Sequence, residues 1–298
     1  MFFLTAAEKR EFMFDLTDPG TVQALLRRHG FHFSKSLGQN FLIDPEVCPA
    51  MAAACGADAH CGALEIGAGV GVLTAELARV AGKVVSLELD RKLLPVLEET
   101  LADFDNIEIV NRDILKTDLP ALIAEQFGDM PVCVCANLPY YITSPVVMTL
   151  LESGVPFRSI TVMVQKEAGE RLCAAVGTRA AGAVTVAVQY YANAEVLFEV
   201  GRDSFLPAPK VDSAVIRLTP REAPPVQVAD ESAFFSLVHA VFGQRRKTAE
   251  NALSAGLGLP KSAVAAALAA CGFAPTVRAE TMTMAELAKL SDALPKKQ

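Results

Sequence analysis

The fold of this chain is indicated most clearly by residues 63–89, which read ALEIGAGVGVLTAELARVAGKVVSLEL. A short apolar run at 63–66 is followed by glycines at 67, 69 and 71, by apolar residues at a helical spacing, and by a second apolar run at 83–89. Two apolar runs separated by a helical pattern are typical of parallel strands joined by a crossover helix. The stretch therefore predicts a β-α-β unit of an α/β fold, with a glycine turn at the carboxyl end of the first strand.

The glycine turn and an acidic residue downstream of it predict a nucleoside-binding site. Because glycine has no Cβ, the backbone at Gly67 and Gly69 can approach a ligand closely. Glu88, near the end of the second predicted strand, can accept hydrogen bonds from both hydroxyls of a ribose. The dinucleotide fingerprint G-x-G-x-x-G requires glycine at the position of Val72. The spacing found here favours S-adenosylmethionine, which has no pyrophosphate, over a dinucleotide.

A second candidate site follows the apolar run 132–136, which we predict to be a central strand. Pro139 cannot continue the hydrogen-bond ladder, so the chain must turn there. Ligands of α/β folds bind at the carboxyl ends of such strands. Asn137 can offer a side-chain oxygen, and Leu138 or Pro139 can offer a carbonyl oxygen. Of these, we expect the Asn137 oxygen and the Pro139 carbonyl to accept the N–H groups of a bound amine. Tyr140 adds an aromatic ring. These groups can hold the exocyclic amine of a nucleobase and stack on its face. The alternative to such a binding site is an Asn-x-Pro turn with a packed tyrosine and only a structural role.

Two further candidate residues follow from the predicted strands and loops. Asp113 comes just after a strand predicted at 107–110, where it can accept a hydrogen bond from the adenine amine of a cofactor or cap the turn. Phe205 lies in a loop whose prolines favour an extended conformation. That loop can hold Phe205 near the same pocket, although a core position is the alternative.

Size and composition indicate a globular chain of roughly two domains. The 298 residues are 52% hydrophobic and 20% charged. No apolar run reaches the roughly 18 residues that indicate a membrane span, and no signal-like apolar segment follows Met1, so we expect a cytoplasmic protein. The seven cysteines are odd in number and lack zinc spacing, and we expect them to be reduced, with no metal site.

The domain boundary is predicted from a proline-rich segment at 219–225, which is the clearest linker in the chain. We therefore expect an α/β domain with an N-terminal arm at 1–219 and a helical domain at 226–298.

The net charge limits how the chain can bind nucleic acid. A formal charge of −7 argues against extensive coating of RNA, so binding would depend on a local patch. The densest basic run comprises Arg245, Arg246 and Lys247, which we expect on a helix of the second domain. Beside a nucleotide-binding domain, this run is best interpreted as a clamp for RNA phosphates.

Six short stretches along the chain form a combined pattern. They are Ser36–Leu42 (SLGQNFL), Glu65–Thr74 (EIGAGVGVLT), Glu88–Asp90 (ELD), Asn137–Tyr140 (NLPY), Pro209–Val215 (PKVDSAV) and Phe242–Thr248 (FGQRRKT). Together they resemble the KsgA-type ribosomal RNA adenine dimethyltransferases, which are related to the Erm enzymes. The basic motif and the segment Arg278–Glu280 resemble the KsgA type more than the Erm type.

The resemblance implies a fold and an activity. The fold would be a Rossmann-like class I S-adenosylmethionine-dependent methyltransferase domain, a mostly parallel sheet with helices on both faces, followed by a small all-helical domain. The activity would be dimethylation at N6 of two adjacent adenosines near the 3′ end of 16S ribosomal RNA. The partner would be the immature small ribosomal subunit, late in its assembly, and we expect the enzyme to be a monomer.

The resemblance also implies roles for individual residues. The residues implied to bind S-adenosylmethionine are Asn40, Leu42, Gly67, Gly69, Glu88, Asp113 and Asn137. The residues implied to receive the target adenine are Asn137, Leu138, Pro139 and Tyr140, with Phe205 as a possible second stacking surface. The residues expected to bind RNA are Lys35, Arg245, Arg246 and Lys247. The chain departs from the family pattern at Ala68, where proline is common, and at Glu250, where a basic residue is common and where an acid could weaken RNA binding.

Three alternative functions remain at this stage. A nicotinamide oxidoreductase could use the same β-α-β unit, but it would not explain the Asn137 turn or the basic run. An assembly factor could act mainly by binding the immature small subunit. An Erm-like methyltransferase would act on large-subunit RNA, and the second domain disfavours this alternative.

Overall fold

The computed structural model describes residues 14–33, 38–244, 246–274 and 276–295. The chain divides into two compact units. The first unit consists of Met1–Gly169 and Glu195–Pro220, and the second of Glu170–Ala194 and Arg221–Gln298. Among the described residues, no helix is long and apolar enough to cross a membrane.

The first unit alternates strands and helices. Its helices are α1 (Pro19–Arg28), α2 (Val47–Ala54), α3 (Val72–Val80), α4 (Leu94–Thr100), α5 (Leu119–Phe127), α6 (Thr143–Glu152) and the start of α7 (Lys166–Cys173). Its strands are β1 (Phe41–Leu42), β2 (Gly62–Ile66), β3 (Lys83–Leu87), β4 (Ile107–Val110), β5 (Val132–Asn137), β6 (Ser159–Gln165), most of β7 (Ala192–Val200), β8 (Phe205–Leu206) and β9 (Ser213–Pro220).

The main sheet has seven strands in the order β4-β3-β2-β5-β6-β9-β7. The pairs β3–β4, β2–β3, β2–β5 and β5–β6 are parallel, and β6–β9 is antiparallel. From β2 the chain adds strands towards one edge of the sheet, and from β5 it adds them towards the other edge. Ligands of α/β folds bind in the crevice at such a reversal, which here lies at the carboxyl ends of β2 and β5. The short strands β1 and β8 form a separate antiparallel pair.

Helices cover both faces of the sheet. Ala63 belongs to a buried cluster with Met51 of α2 and Leu77 of α3. The preceding residue, Gly62, has the ring of Phe127 at the end of α5 so close that a Cβ there would lie 2.3 Å from it. Because consecutive residues of a strand point to opposite faces, α2 and α3 lie on one face and α5 on the other. The predicted class of fold is therefore confirmed.

The second unit is helical. Its helices are α8 (Ala183–Tyr191), α9 (Glu231–Gly243), α10 (Ala249–Leu257), α11 (Lys261–Ala270) and α12 (Met284–Ala293). Its core contains Phe234, Leu253, Leu268 and Leu287 from successive helices. Thr283 caps α12 in a capping box with Glu286, whose carboxylate accepts the Thr283 backbone N–H at 2.8 Å.

The segment 170–194 differs from the sequence expectation, which placed it with the first domain. Val186 and Tyr190 of α8 are buried in the core of the second unit. The Tyr190 ring lies 5.5 Å from the Phe234 ring, centroid to centroid. The linker at 219–225 marks only the second of two crossings between units, because the chain enters the helical unit once before it completes the sheet.

Candidate active site

The carboxyl ends of the central strands open into a cavity of about 1100 Å³, counting its mouth. All of its lining residues belong to the first unit. The predicted site residues found in the lining are Asn40, Leu42, Gly67, Gly69, Glu88, Asp113, Asn137, Leu138, Pro139, Tyr140 and Phe205. The structure therefore brings the two sites recognised in the sequence into one cavity.

The glycine turn forms the floor of this cavity after β2. Gly67, Gly69 and Gly71 have φ values of +83°, +60° and +95°. Residues with a side chain rarely adopt such values, so the alternating glycines are explained by backbone geometry. The Gly67 N–H donates to the Leu87 carbonyl at 2.8 Å, which fixes the turn to the end of β3. A Cβ built on Gly67 would have no atom within 4 Å, so that position faces open cavity.

Glu88 follows β3, which ends at Leu87 rather than at residue 89 as the sequence suggested. Its Oε2 accepts the Gly69 N–H at 3.1 Å, and its Oε1 accepts the Asp90 N–H at 2.7 Å. Burial raises the pKa of the Glu88 carboxyl, and these backbone donors oppose the shift. The carboxylate is thus held in one orientation at the cavity wall, and each oxygen keeps lone-pair capacity for a ligand hydroxyl.

Glu65 is a second buried carboxyl at the cavity, and sequence reasoning did not single it out. It is 1% exposed, and its Oε2 accepts the Thr74 hydroxyl at 2.6 Å. Burial raises the pKa of Glu65 from its ordinary value of 4.5 to about 7. The available signal was a lone acid inside the apolar run 63–66, since buried carboxyls are rare unless they have a partner or a function.

The raised pKa of Glu65 predicts a change of stability with pH. Because folding favours the neutral carboxyl, this contribution is fully present below pH 4.5 and is lost as the pH rises through about 7. Glu65→Gln removes the titration. We compare the free energy of unfolding of the wild type with that of the variant. The difference, wild type minus variant, should fall by about 3 kcal/mol between pH 4.5 and about pH 7 and then stay constant.

Urea unfolding between pH 4.5 and pH 8 measures this difference. Glu125→Gln, the same substitution at an exposed position of α5, is the control and should show no such trend. A difference between wild type and Glu65→Gln that stays constant with pH would contradict the assignment.

The Asn137 turn presents two acceptors to the cavity. Asn137 ends β5, and its Nδ2 donates to the Asn40 carbonyl at 3.4 Å, which turns Oδ1 away from that partner. The Pro139 carbonyl accepts the Ile142 N–H at 3.1 Å as a short 3₁₀ turn begins. Within the described residues, no hydrogen bond engages Asn137 Oδ1 or the Leu138 carbonyl. Of the two carbonyls that the sequence offered, Leu138 is the less engaged.

Two aromatic residues from the sequence prediction border this turn. The Tyr140 hydroxyl and the Ser213 hydroxyl are 2.7 Å apart, so the ring is tethered to the first residue of β9. Burial raises the pKa of Tyr140. Phe205 is only 3% exposed and sits opposite Leu42 in the β1–β8 pair. Phe205 is therefore both a core residue and part of the cavity wall.

Asp113 also combines its two predicted roles. It lines the cavity, and its Oδ1 accepts the Leu115 N–H at 3.0 Å, which caps the 3₁₀ turn Ile114–Lys116. Its other oxygen lies 3.8 Å from the Lys116 ammonium. One carboxylate oxygen thus fixes the side chain beside the cavity.

The predicted RNA-binding residues are placed only in part. Lys35 and Arg245 lie outside the described residues. Arg246 and Lys247 are exposed, and they lie in the loop between α9 and α10 rather than on a helix as expected. The helix ends at Gly243, and Thr248 caps the next one by accepting the Asn251 N–H at 3.4 Å. In the described part of the chain, no cluster of three or more His, Cys, Asp or Glu residues could hold a metal ion.

The parallel sheet with its glycine turn, its acidic residue after β3 and its Asn-Leu-Pro-Tyr turn after β5 defines a class I S-adenosylmethionine-dependent methyltransferase. Residues 30–295 match the family model described as ribosomal RNA adenine dimethylase. The chain belongs to that family. It is 50% identical over 284 residues to the ribosomal RNA small subunit methyltransferase A of Geobacillus thermodenitrificans. This alignment covers 94% of this chain and 97% of the relative.

Solved structures support the same assignment. A dimethyladenosine transferase from Plasmodium falciparum superposes with a TM-score of 0.70 at 26% identity, covering 84% of this chain and 95% of that one. The 23S rRNA methyltransferase ErmE superposes with a TM-score of 0.65 at 29% identity, covering 86% of this chain and 99% of that one. The family, the activity as a ribosomal RNA adenine dimethyltransferase and the methyl donor predicted from the sequence are confirmed.

The second unit does not separate this chain from the Erm type, contrary to the expectation from the sequence. The first unit contains only about two thirds of the chain, whereas ErmE aligns with 86% of it. The alignment must include part of the second unit, so the presence of that unit does not separate the two types.

Proposed function

We propose that this enzyme dimethylates N6 of two adjacent adenosines near the 3′ end of 16S ribosomal RNA, within the immature small subunit and late in its assembly. The observation that carries the choice of substrate is the 50% identity, over nearly the full length of both chains, to a relative named as a small-subunit methyltransferase. The ErmE structure, a large-subunit enzyme by its name, is 29% identical.

The cavity residues fit S-adenosylmethionine. Gly67 leaves space for close approach, and the fixed carboxylate of Glu88 matches a ribose. Asp113 offers its remaining oxygen capacity to an adenine amine. The other residues proposed to contact the donor are Asn40, Leu42, Gly69 and Asn137. When bound, the donor supplies an electrophilic methyl group on a sulfonium. The buried carboxylate of Glu88 at the cavity wall suits a ligand that carries positive charge.

The Asn137 turn is proposed to hold the amine that accepts the methyl group. The lone pair of an adenine amine is conjugated with the ring, which makes the amine a poor nucleophile. Asn137 Oδ1 and the Leu138 carbonyl can each accept one of its two N–H groups, which favours a pyramidal nitrogen with its lone pair directed away from them. Attack then needs orientation rather than a strong base. The new C–N bond would form as the methyl–sulfur bond breaks, leaving a neutral thioether, and the extra proton of the methylated amine would then pass to water.

The same two acceptors account for the end of the reaction at two methyl groups. An unmethylated amine has two N–H donors, a monomethylated amine has one, and a dimethylated amine has none. Asn137 Oδ1 and the Leu138 carbonyl therefore bind each successive product less well. Once both N–H groups are lost, the buried acceptors would remain unsatisfied, which favours release of the base.

Tyr140 is proposed to stack on the extruded base. Its hydroxyl contact with Ser213 fixes the far end of the side chain, so less side-chain freedom is lost when a base stacks on the ring. Stacking on an aromatic side chain contributes roughly 1–3 kcal/mol per base, which is comparable with the cost of unstacking it from RNA. Phe205 lies opposite Leu42 in the β1–β8 pair and lines the cavity, where it offers a second apolar surface.

Transfer of radiolabelled methyl groups tests the proposed function. Purified small subunits that lack the modification are incubated with the enzyme and labelled S-adenosylmethionine, and the RNA is then digested to nucleosides. We expect the label in N6,N6-dimethyladenosine from the 3′ region of 16S RNA. Large subunits and mature, already modified small subunits are the controls. Label in large-subunit RNA, or none in small subunits, would contradict the proposal.

The basic loop is proposed to contact RNA phosphates through Arg246 and Lys247. Each neutralised phosphate releases counterions, so two contacts add about −1.4 to the slope of log K against log salt for a single strand. In Arg246→Gln/Lys247→Gln we expect this part of the slope to vanish and the affinity for small subunits to fall several-fold at low salt.

Filter binding across a salt series measures that slope. Lys261→Gln/Lys289→Gln changes the net charge equally at exposed positions elsewhere in the helical unit and is the matched control. Equal slopes for the two double variants would exclude a specific role for the loop.

A further inference from the structure

Tyr141 is an aromatic residue at the cavity that neither the sequence motifs nor the proposed mechanism uses. It lines the cavity next to Tyr140, yet 57% of it is exposed. Among the described residues this is the most exposed of the large hydrophobic side chains. Isolated exposed apolar residues are common on protein surfaces. An aromatic ring at the mouth of a nucleobase cavity is a different case, because it offers a stacking surface where RNA must pass.

The two neighbouring tyrosines have different environments. Tyr140 is partly buried, and its hydroxyl is tied to Ser213. The Tyr141 ring packs on the backbone of Gly38, where a Cβ would lie 3.4 and 3.5 Å from two ring carbons. Gly38 has a φ of +59°, which favours glycine in any case. The ring is thus supported from one side by main chain, while more than half of the residue remains accessible.

We propose that Tyr141 stacks on the nucleobase adjacent to the target adenosine and so positions the RNA for methyl transfer. The inference rests on the proposed function. Extruding one base leaves its neighbour with an uncovered face, because stacking partners come from the adjacent positions of the strand. Tyr141 lines the same cavity as Tyr140, the ring proposed to receive the target base, and its exposed face replaces the lost stacking partner.

The size of the effect follows from base–aromatic stacking. A contribution of about 1–3 kcal/mol corresponds to a factor of roughly 5 to 150 in affinity. Tyr141→Ala should therefore raise the KM for small subunits by a factor in this range, with a much smaller effect on kcat. Tyr141→Phe keeps the ring and should behave like the wild type.

A purely structural role makes a different prediction. Tyr141 supports Gly38, whose carbonyl accepts the Asn40 Nδ2 at 3.2 Å, and Asn40 lines the donor cavity. If the ring only supported this segment, Tyr141→Ala would weaken binding of S-adenosylmethionine and would impair every RNA substrate equally. Calorimetric titration with the donor in the absence of RNA measures the first of these effects.

A double-mutant cycle, in which the change in the enzyme is combined with the loss of a base in the substrate, tests the proposal. Small subunits are reconstituted with a 3′ RNA fragment that carries one target adenosine and either normal neighbours or an abasic site on its 5′ or its 3′ side. Wild-type enzyme and Tyr141→Ala are compared on each substrate. The control is Val196→Ala, an exposed apolar residue of β7 that does not line the cavity.

On the intact substrate, we expect Tyr141→Ala to have a higher KM than the wild type. On one of the two abasic substrates, which lacks the base that Tyr141 stacks on, the variant and the wild type should have the same KM. A 2-aminopurine at that neighbouring position should be quenched on binding to the wild type and to Tyr141→Phe but not to Tyr141→Ala. An equal loss on all three substrates, or a loss of donor affinity, would overturn the proposal. Methylation of the intact substrate by wild-type enzyme tests the proposed function separately, so failure of the two ideas can be distinguished.

Discussion

Replacing Asn137 by alanine is expected to lower the rate of methyl transfer roughly 100- to 1000-fold, in the range found when one hydrogen-bonding group aimed at a reacting centre is removed. Asn137 Oδ1 is the side-chain acceptor at the turn, and its amide is oriented by the Asn40 carbonyl. Alanine removes the acceptor without removing the cavity. Affinity for S-adenosylmethionine should change by only a few-fold, because Glu88, Asp113 and the glycine turn are unaltered.

Single-turnover transfer to undermethylated small subunits measures the rate, and calorimetry measures donor affinity. Asn193→Ala, the same change at an exposed position of β7, is the matched control and should transfer methyl groups at the wild-type rate. A rate for Asn137→Ala within a few-fold of the wild type would refute the assigned role. A collapse of donor affinity that accounts for the whole loss would limit the role of Asn137 to its proposed contact with the donor.

The order of elements around the cavity could be predicted because it depends on local patterns. Buried parallel strands are nearly continuous apolar runs, and they stand out between glycine turns and amphipathic helices. The strands predicted at 63–66, 107–110 and 132–136 are found within one residue at each end. Their carboxyl ends meet at one edge of the sheet, which is why residues far apart in the sequence could be assigned to one site.

The features that escaped prediction depend on contacts between distant segments. The sequence alone does not identify Glu65 as a buried site residue, because its burial and its bond to Thr74 depend on the packing of α3 on β2. The membership of 170–194 in the helical unit depends on Tyr190 and Phe234, which are far apart in the chain. Tyr141 has no local signal that distinguishes it from Tyr140. Only the tether to Ser213 and the packing on Gly38 separate the two rings.

The choice between the Leu138 and Pro139 carbonyls shows the same limit. The sequence suggests both, since both follow Asn137 and precede a turn, and the Pro139 carbonyl is the one that we expected to bind the amine. The structure engages the Pro139 carbonyl with the Ile142 N–H, because a 3₁₀ turn starts immediately after it. The Leu138 carbonyl, one residue earlier, is not part of that turn and accepts no hydrogen bond from the described residues. The number of residues between the strand and the turn therefore decides which acceptor remains for the substrate.

The glycine turn provides the second large effect. Gly67→Ala places a methyl group where a Cβ meets no protein atom, at a position that lines the cavity. A donor that lies against this backbone must shift, and crowding of this kind costs about 1–3 kcal/mol. We expect the Kd for S-adenosylmethionine to rise roughly 5- to 150-fold, with catalysis falling in proportion when the donor is not saturating.

A second glycine separates this effect from backbone strain. Gly56 has a φ of +74°, close to the +83° of Gly67, and a Cβ there also meets nothing, but Gly56 does not line the cavity. Gly56→Ala should lose about as much unfolding free energy as Gly67→Ala, roughly 1 kcal/mol for the left-handed conformation, while its Kd for the donor stays that of the wild type. Calorimetry and urea unfolding of both variants give the two quantities. If the two substitutions changed donor affinity equally, the donor would not lie against Gly67, and the cavity floor would have to be reassigned.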